Sequence, residues 1–346
     1  MEAAFFDGPK QMRLGSAPDP KANPGEVVLK VGACAVCGTD VRIWRSGHHR
    51  ISPPAIIGHE IAGTVERLGD GVDSVEIGDR VVLSPPAWSC GDCYHCVNGL
   101  ENLCPERTGL SYERAGGFAQ SVVVPAPLVA SGALNHISDG LGFDEAAIVE
   151  PLACCINGQS QFTISRDDVA LIIGVGPIGL MHAALLRSAN ISKVIVSDVS
   201  EQRLAAARLR DVDVVIDAAN EPITDRVLEL TDGRGADLVV VAVSAKQGYQ
   251  TAFSVAAKGA KLLLFAGLPK GEDQILFDMN QVHYRQWTIL GSYGSSVDQG
   301  RKALALLESR TIDPADLVTH RFGLGNIAQA FEVAESLDGL KIVVTP

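Results

Sequence analysis

The chain has 346 residues, 47% of them hydrophobic and 20% charged, enough to bury a substantial core and to divide into two domains. A net charge of -12 argues against nucleic acid as a partner, because phosphate backbones are bound by clustered Lys and Arg. The opening MEAAFFDGPKQMRLG has no basic region followed by an apolar run, and no apolar stretch approaches bilayer length, so no membrane partner is expected and the expected location is cytoplasmic.

In chain order, the runs EVVLKVGACAV, IAGTVERLG, DRVVLSPP and FAQSVVVP alternate or are β-branched and are punctuated by Gly and Pro. They predict short strands of an all-β unit. The texture changes near Glu150. Beyond it, VALIIGVG (169–176), KVIVSD (193–198), DVVID (213–217), ADLVVVAV (236–243) and GAKLLLFAG (259–267) alternate with helical spacers such as GLMHAALLRSAN and EQRLAAARLRD. Continuous apolar strands between amphipathic helices predict a parallel sheet covered on both faces, over roughly 156–294. The tail carries a helix over 298–310 and a closing strand KIVVT, which returns to the first unit or extends the sheet.

Three constellations carry candidate chemistry. Cys90, Cys93, Cys96 and Cys104 follow C-x2-C-x2-C-x7-C, with Gly91 and Gly99 to let the loop wrap. In a reducing compartment such cysteines favour metal over disulfides. Four thiolates close a tetrahedral shell about zinc and leave no open position, so the loop is expected to serve structure. An iron–sulfur cluster also takes four cysteines, although the ferredoxin spacings differ, and unligated thiols are the plain alternative. His95 lies within the loop and is expected to be an exposed bystander. Apart from that loop stand Cys37 in CGTD and His59–Glu60 in GHE, with Glu150 at the junction in VEPLACC. Together they offer the mixed S, N and O donors of a catalytic zinc that keeps one position open. Alone, each is more simply core or a satisfied polar pair.

The third is G-x-G-x-x-G at Gly174, Gly176 and Gly179, with Pro177 and Ile178 between the last two, leading from a strand directly into a helix. The glycines allow a pyrophosphate to approach the helix N-terminus. Nineteen residues on, Asp198 can accept from ribose hydroxyls and would repel a 2′-phosphate, which favours NAD; Arg203 could instead greet such a phosphate. Cys34, Cys154 and Cys155 read as buried small hydrophobes, and His182 as packed or beside the pyrophosphate. His283 and Tyr284 fit a substrate cleft or an oligomer edge equally.

Taken together, CGTD, GHE followed by GTVERLGDGV and GDRVV, the four-cysteine loop, GGFA (116–119), EPLA (150–153) and GVGPIG resemble the zinc-dependent medium-chain alcohol dehydrogenases over essentially the whole chain. Glu150, where the animal and yeast enzymes place a cysteine, makes the sorbitol, iditol and threonine dehydrogenase branch the closer resemblance. It implies an α/β protein with a GroES-like β-rich catalytic domain (1–155 and 295–346, with the zinc loop 90–104) and a Rossmann domain (156–294). It also implies an active site in the cleft, two Zn²⁺ per chain, NAD, a homodimer or homotetramer, and a small secondary alcohol of polyol or sugar-like type as substrate.

L-threonine and polyol phosphates compete as substrates, and a noncatalytic dinucleotide binder is the reading from another class. Carried over, the catalytic zinc is held by Cys37 and His59, with Glu60 and Glu150 as the carboxylate candidates and one on the metal at a time. Thr39 takes the substrate proton and Asp40 supports a ligand. The histidine that often continues the family's relay is missing, Arg42 and Ile43 standing there, and His48 or His49 is its possible substitute. Ile43 also replaces an aromatic polar residue of the sorbitol dehydrogenases, which loosens the case for sorbitol itself.

Overall fold

Val27–Ala35 is buried almost throughout because it has neighbours on both edges. On one side it pairs antiparallel with Glu60–Leu68; on the other, Ser121–Val124 covers its first half and Lys341–Thr345 its end, through Val343 opposite Ala35 and Val344 opposite Cys34. The sheet runs Val318–Gly323, Lys341–Thr345, Val27–Ala35, Glu60–Leu68, Arg80–Leu83, Leu134–His136. Of the two places open to KIVVT, it takes this sheet. Phe6, Leu29, Ile43, Phe118 and Phe331 fill the core beneath, with Phe118 and Phe331 edge to face at 5.6 Å. The computed structural model describes residues 1–315, 317–336 and 339–346, and these strands belong to one of two units, Met1–Cys154 with Gly294–Pro346.

Several short helices interrupt the expected β texture, and two of the helices carry candidate site residues. Cys37 caps Gly38–Ser46: its sulfur accepts from the Thr39 N–H, and Asp40 reaches back to the Cys37 N–H, so side chains at the very start of the turn satisfy donors that would otherwise be left open. Glu150 lies in the first turn of Val149–Gln159.

The second unit, Cys155–Tyr293, is a six-stranded parallel sheet in the order Val214–Asp217, Lys193–Asp198, Val169–Ile173, Ala236–Val241, Ala256–Leu264, Thr288–Gly291. Read by position in the sequence, this is the doubly wound order 3-2-1-4-5-6, with its switch point beside Val169–Ile173. That strand is buried at every residue, as continuous apolar runs require when helices cover both faces. Among the described residues no helix is long and apolar enough to cross a membrane.

Candidate active site

In the first unit, donor atoms of Cys37, His59 and Glu60 lie within 4.8 Å of one another. The helix cap fixes Cys37, and the start of the strand Glu60–Leu68 fixes the other two. Asp40 is fully buried; its Oδ1 stands 3.3 Å from Nδ1 of His59 while its other oxygen accepts from the Cys37 N–H at 3.0 Å. The imidazole therefore turns Nδ1 toward a carboxylate and leaves Nε2 for a ligand, the usual support of a metal-bound histidine. Burial would push His59 down, but the charges of Asp40 and Cys37 outweigh it and raise it well above its ordinary value. A half-buried thiol with a buried imidazole and carboxylate, crowded in this way, fits a divalent cation, and the donor set is that of zinc.

Glu150 is buried but outside this triplet. Its Oε1 accepts from the Cys154 thiol at 3.5 Å, and its charge acts on Glu60. Sequence reasoning missed Lys341, 3% exposed, whose Nζ lies 2.6 Å from both carboxylate oxygens of Glu60. Burial raises Glu60 to about 7 against the pull of Lys341; the ammonium is raised in turn, burial opposing and Glu60 favouring its charge. The signal was a lysine heading an otherwise apolar strand, KIVVT.

Thr39 is half-buried one helix position from Cys37's neighbour Gly38, its N–H 3.4 Å from the Cys37 sulfur. His48 is half-buried as well, its ring 4.4 Å from that of His49 in a tilted arrangement and edge-on to Tyr112 at 5.1 Å. Its Nδ1 accepts from the Arg50 N–H, and burial, with the neighbouring cations His49, Arg50 and Arg42, lowers its pKa. Cys34 and Cys155 are buried, and Cys154 partly so.

The sulfurs of Cys90, Cys93, Cys96 and Cys104 form a second cluster, with separations of 3.4 to 3.9 Å. Ser89 and nearby backbone donors bring Cys96 down to about 7, whereas Cys90 beside Asp92 rises to about 12. Four thiols this close, one of them unwilling to ionise alone, fit a cation that neutralises the set. His95 stays out of the cluster; it is half-buried and edge-on to Tyr94, less exposed than expected.

In the second unit, Gly174 sits at φ +94 and a Cβ on Gly179 would fall 1.9 Å from the Gly174 carbonyl oxygen, so the turn requires glycine at both. Pro177 and Ile178 open the helix Pro177–Ser188, Gly176 being its cap. Asp198 ends the next strand; its two oxygens accept from the N–H groups of Val175 (2.8 Å) and Ser200 (3.0 Å). Each oxygen keeps a lone pair for a ribose hydroxyl. The Arg203 guanidinium lies 3.9 Å from Asp198 and against Gly176, its pKa lowered by burial. His182 is wholly buried, Nδ1 beside the Gln159 amide at 3.0 Å, and burial pushes it down to about 3. His283 and Tyr284 are exposed.

Residues 23–132 match the alcohol dehydrogenase GroES-like domain and residues 177–309 the zinc-binding dehydrogenase domain. The sorbitol dehydrogenase of Halalkalibacterium halodurans is 31% identical over 95% of this chain and 94% of its own length. The chain belongs to the zinc-dependent medium-chain alcohol dehydrogenases. Within that family the sorbitol and threonine branch is the one it matches: the L-threonine 3-dehydrogenase of Photorhabdus laumondii is 32% identical over 94% of both chains. An alcohol dehydrogenase of Escherichia coli CFT073, complexed with NADH, superposes with a TM-score of 0.89 at 27% identity, over 100% of this chain and 99% of that one. This medium-chain dehydrogenase is thus an oxidoreductase acting on alcohols, with zinc and a nicotinamide dinucleotide as its cofactors.

Proposed function

We propose that the protein oxidises a secondary alcohol of polyol or sugar-like type to the ketone, passing hydride to NAD, at a zinc held by Cys37, His59 and a carboxylate from Glu60 or Glu150. The observation that carries this reading is the triplet of S, N and O donors with Asp40 behind the histidine. Bound there, zinc would acidify an alcohol hydroxyl, and NAD would accept the hydride.

The residues of the chain do the rest. Asp40 aligns His59 and ties down the Cys37 backbone. Thr39, held by its N–H against the Cys37 sulfur, receives the substrate's hydroxyl proton. His48, whose Nδ1 is engaged by a backbone N–H, offers Nε2 to carry that proton onward in the place of the missing family histidine. Gly174, Gly176 and Gly179 admit the pyrophosphate to the helix N-terminus, and Asp198 takes the ribose hydroxyls, which selects NAD over its 2′-phosphate. The four-cysteine loop holds the second, structural zinc.

L-threonine is a second reading, favoured by the Photorhabdus relative. A panel of polyols, sugars, inositols and amino alcohols followed by NADH absorbance tests both: turnover of polyols but not threonine supports the first, the reverse the second, and turnover of neither overturns both. The outer strand Thr288–Gly291 ends the parallel sheet with Ile289 exposed, which favours pairing with a second copy; light scattering would read a dimer or tetramer. Among the described residues no cysteine is in a disulfide, which suits a reducing cytoplasm.

A further inference from the structure

Two carboxylates beside one metal pose a problem of charge. Zn²⁺ with one thiolate, one neutral imidazole and one carboxylate is neutral, and a second carboxylate makes the centre anionic, which blunts the pull of the metal on any oxygen it binds. The residue that answers this comes from the far end of the chain. The Val36 N–H donates to the Ile342 carbonyl at 2.9 Å and the Lys341 N–H to the Leu317 carbonyl at 2.9 Å, so the strand Lys341–Thr345 is pinned on both edges. Ala35 lies opposite Glu60 in the same sheet. This register delivers the Lys341 ammonium onto Glu60, 2.6 Å from each oxygen, in a place where the two side chains are 3% and 0% exposed.

We propose that Lys341 is the charge-compensating residue of the catalytic metal site: locked to Glu60, it cancels one of the two carboxylates and fixes where the other partner of the ion pair stands relative to the metal. The inference rests on the reading of Cys37 and His59 as zinc ligands. Neither member of the pair can leave alone, because each would strand a buried, uncompensated charge. Glu60 therefore keeps its ammonium whether or not one of its oxygens also approaches the metal, and the sum over zinc, Cys37, Glu60, Glu150 and Lys341 stays at zero.

A merely structural ion pair and a charge-compensating one differ in sign. If Lys341 only holds the sheet together, removing either partner loosens the site, and both Lys341→Met and Glu60→Gln release zinc faster. If Lys341 compensates charge, Lys341→Met leaves the site more anionic and should slow zinc loss to a chelator by roughly tenfold, Glu60→Gln should speed it by a similar factor, and the double variant should return near the native rate. Lys341→Arg keeps the cation and should follow the native protein; should Lys341→Met fail to fold, the double variant set against Glu60→Gln still decides, zinc loss near the native rate supporting compensation and loss at least as fast as in Glu60→Gln overturning it. Equal or same-sign changes overturn the proposal. Cys37→Ala separates this failure from that of the site itself: it should carry one zinc where the native chain carries two, and if it keeps both, the metal reading fails rather than the role of Lys341.

Discussion

Asp40 serves a helix and a histidine with one carboxylate, and its removal should be felt at both. Asp40→Asn keeps the shape but loses the charge behind His59, and is expected to weaken zinc at the catalytic site by about 10–100-fold, read by metal competition with a fluorescent chelator. A different consequence attaches to His182. Its folded-state pKa is pushed down to about 3 by burial, so below the unfolded value of 6.5 the unfolded chain binds a proton that the folded one refuses. Stability then falls as pH drops through that window, by about 1.4 kcal/mol per pH unit for each such proton. His182→Leu should remove that dependence and narrow the difference between unfolding free energies at about pH 7 and about pH 4.5 by about 3 kcal/mol, measured by urea titration. At this scale the sequence was informative where residues act within a few positions of one another: Cys37 with Asp40, or His59 with Glu60. Lys341 was illegible because its partner lies 281 residues away, and only sheet register brings them together.

The elements carrying the cofactor site follow from local rules. Gly179 faces the Gly174 carbonyl so closely that any side chain must push the helix off its strand; Gly179→Ala is expected to cost about 1–3 kcal/mol and to weaken NADH binding, seen as a lower melting temperature and reduced fluorescence enhancement. Asp198→Ala should bring the kcat/KM values for NAD and NADP closer together by at least about tenfold, the 1.4 kcal/mol of one charge-assisted hydrogen bond. The strand pattern of this unit was readable because each run is apolar throughout and bounded by helical spacers. The helix Gly38–Ser46 was not, for its stabilising cap is a cysteine, a residue that ordinarily signals core or metal rather than a helix start.

Over the whole molecule, each unit has its own apolar core, and each holds a different part of the chemistry. Saturating NADH at a hundred times its dissociation constant should stabilise the folded protein by about 2.7 kcal/mol, read by calorimetry; replacing Cys90 by Ser should lower the melting temperature while leaving that ligand-dependent increment intact. The fold class was legible as a change of texture at Glu150, whereas the destination of the tail was not, since KIVVT would suit either sheet and only the hydrogen bonds from the Val36 N–H and to the Leu317 carbonyl decide. The lateness of that strand has a consequence for biosynthesis. Cys37, His59 and Glu60 emerge from the ribosome early, yet the cation that balances them is translated almost three hundred residues later, so a nascent chain presents an unfinished, over-negative nest of donors. A chain cut short before Lys341 would therefore carry its ligands without their counterweight.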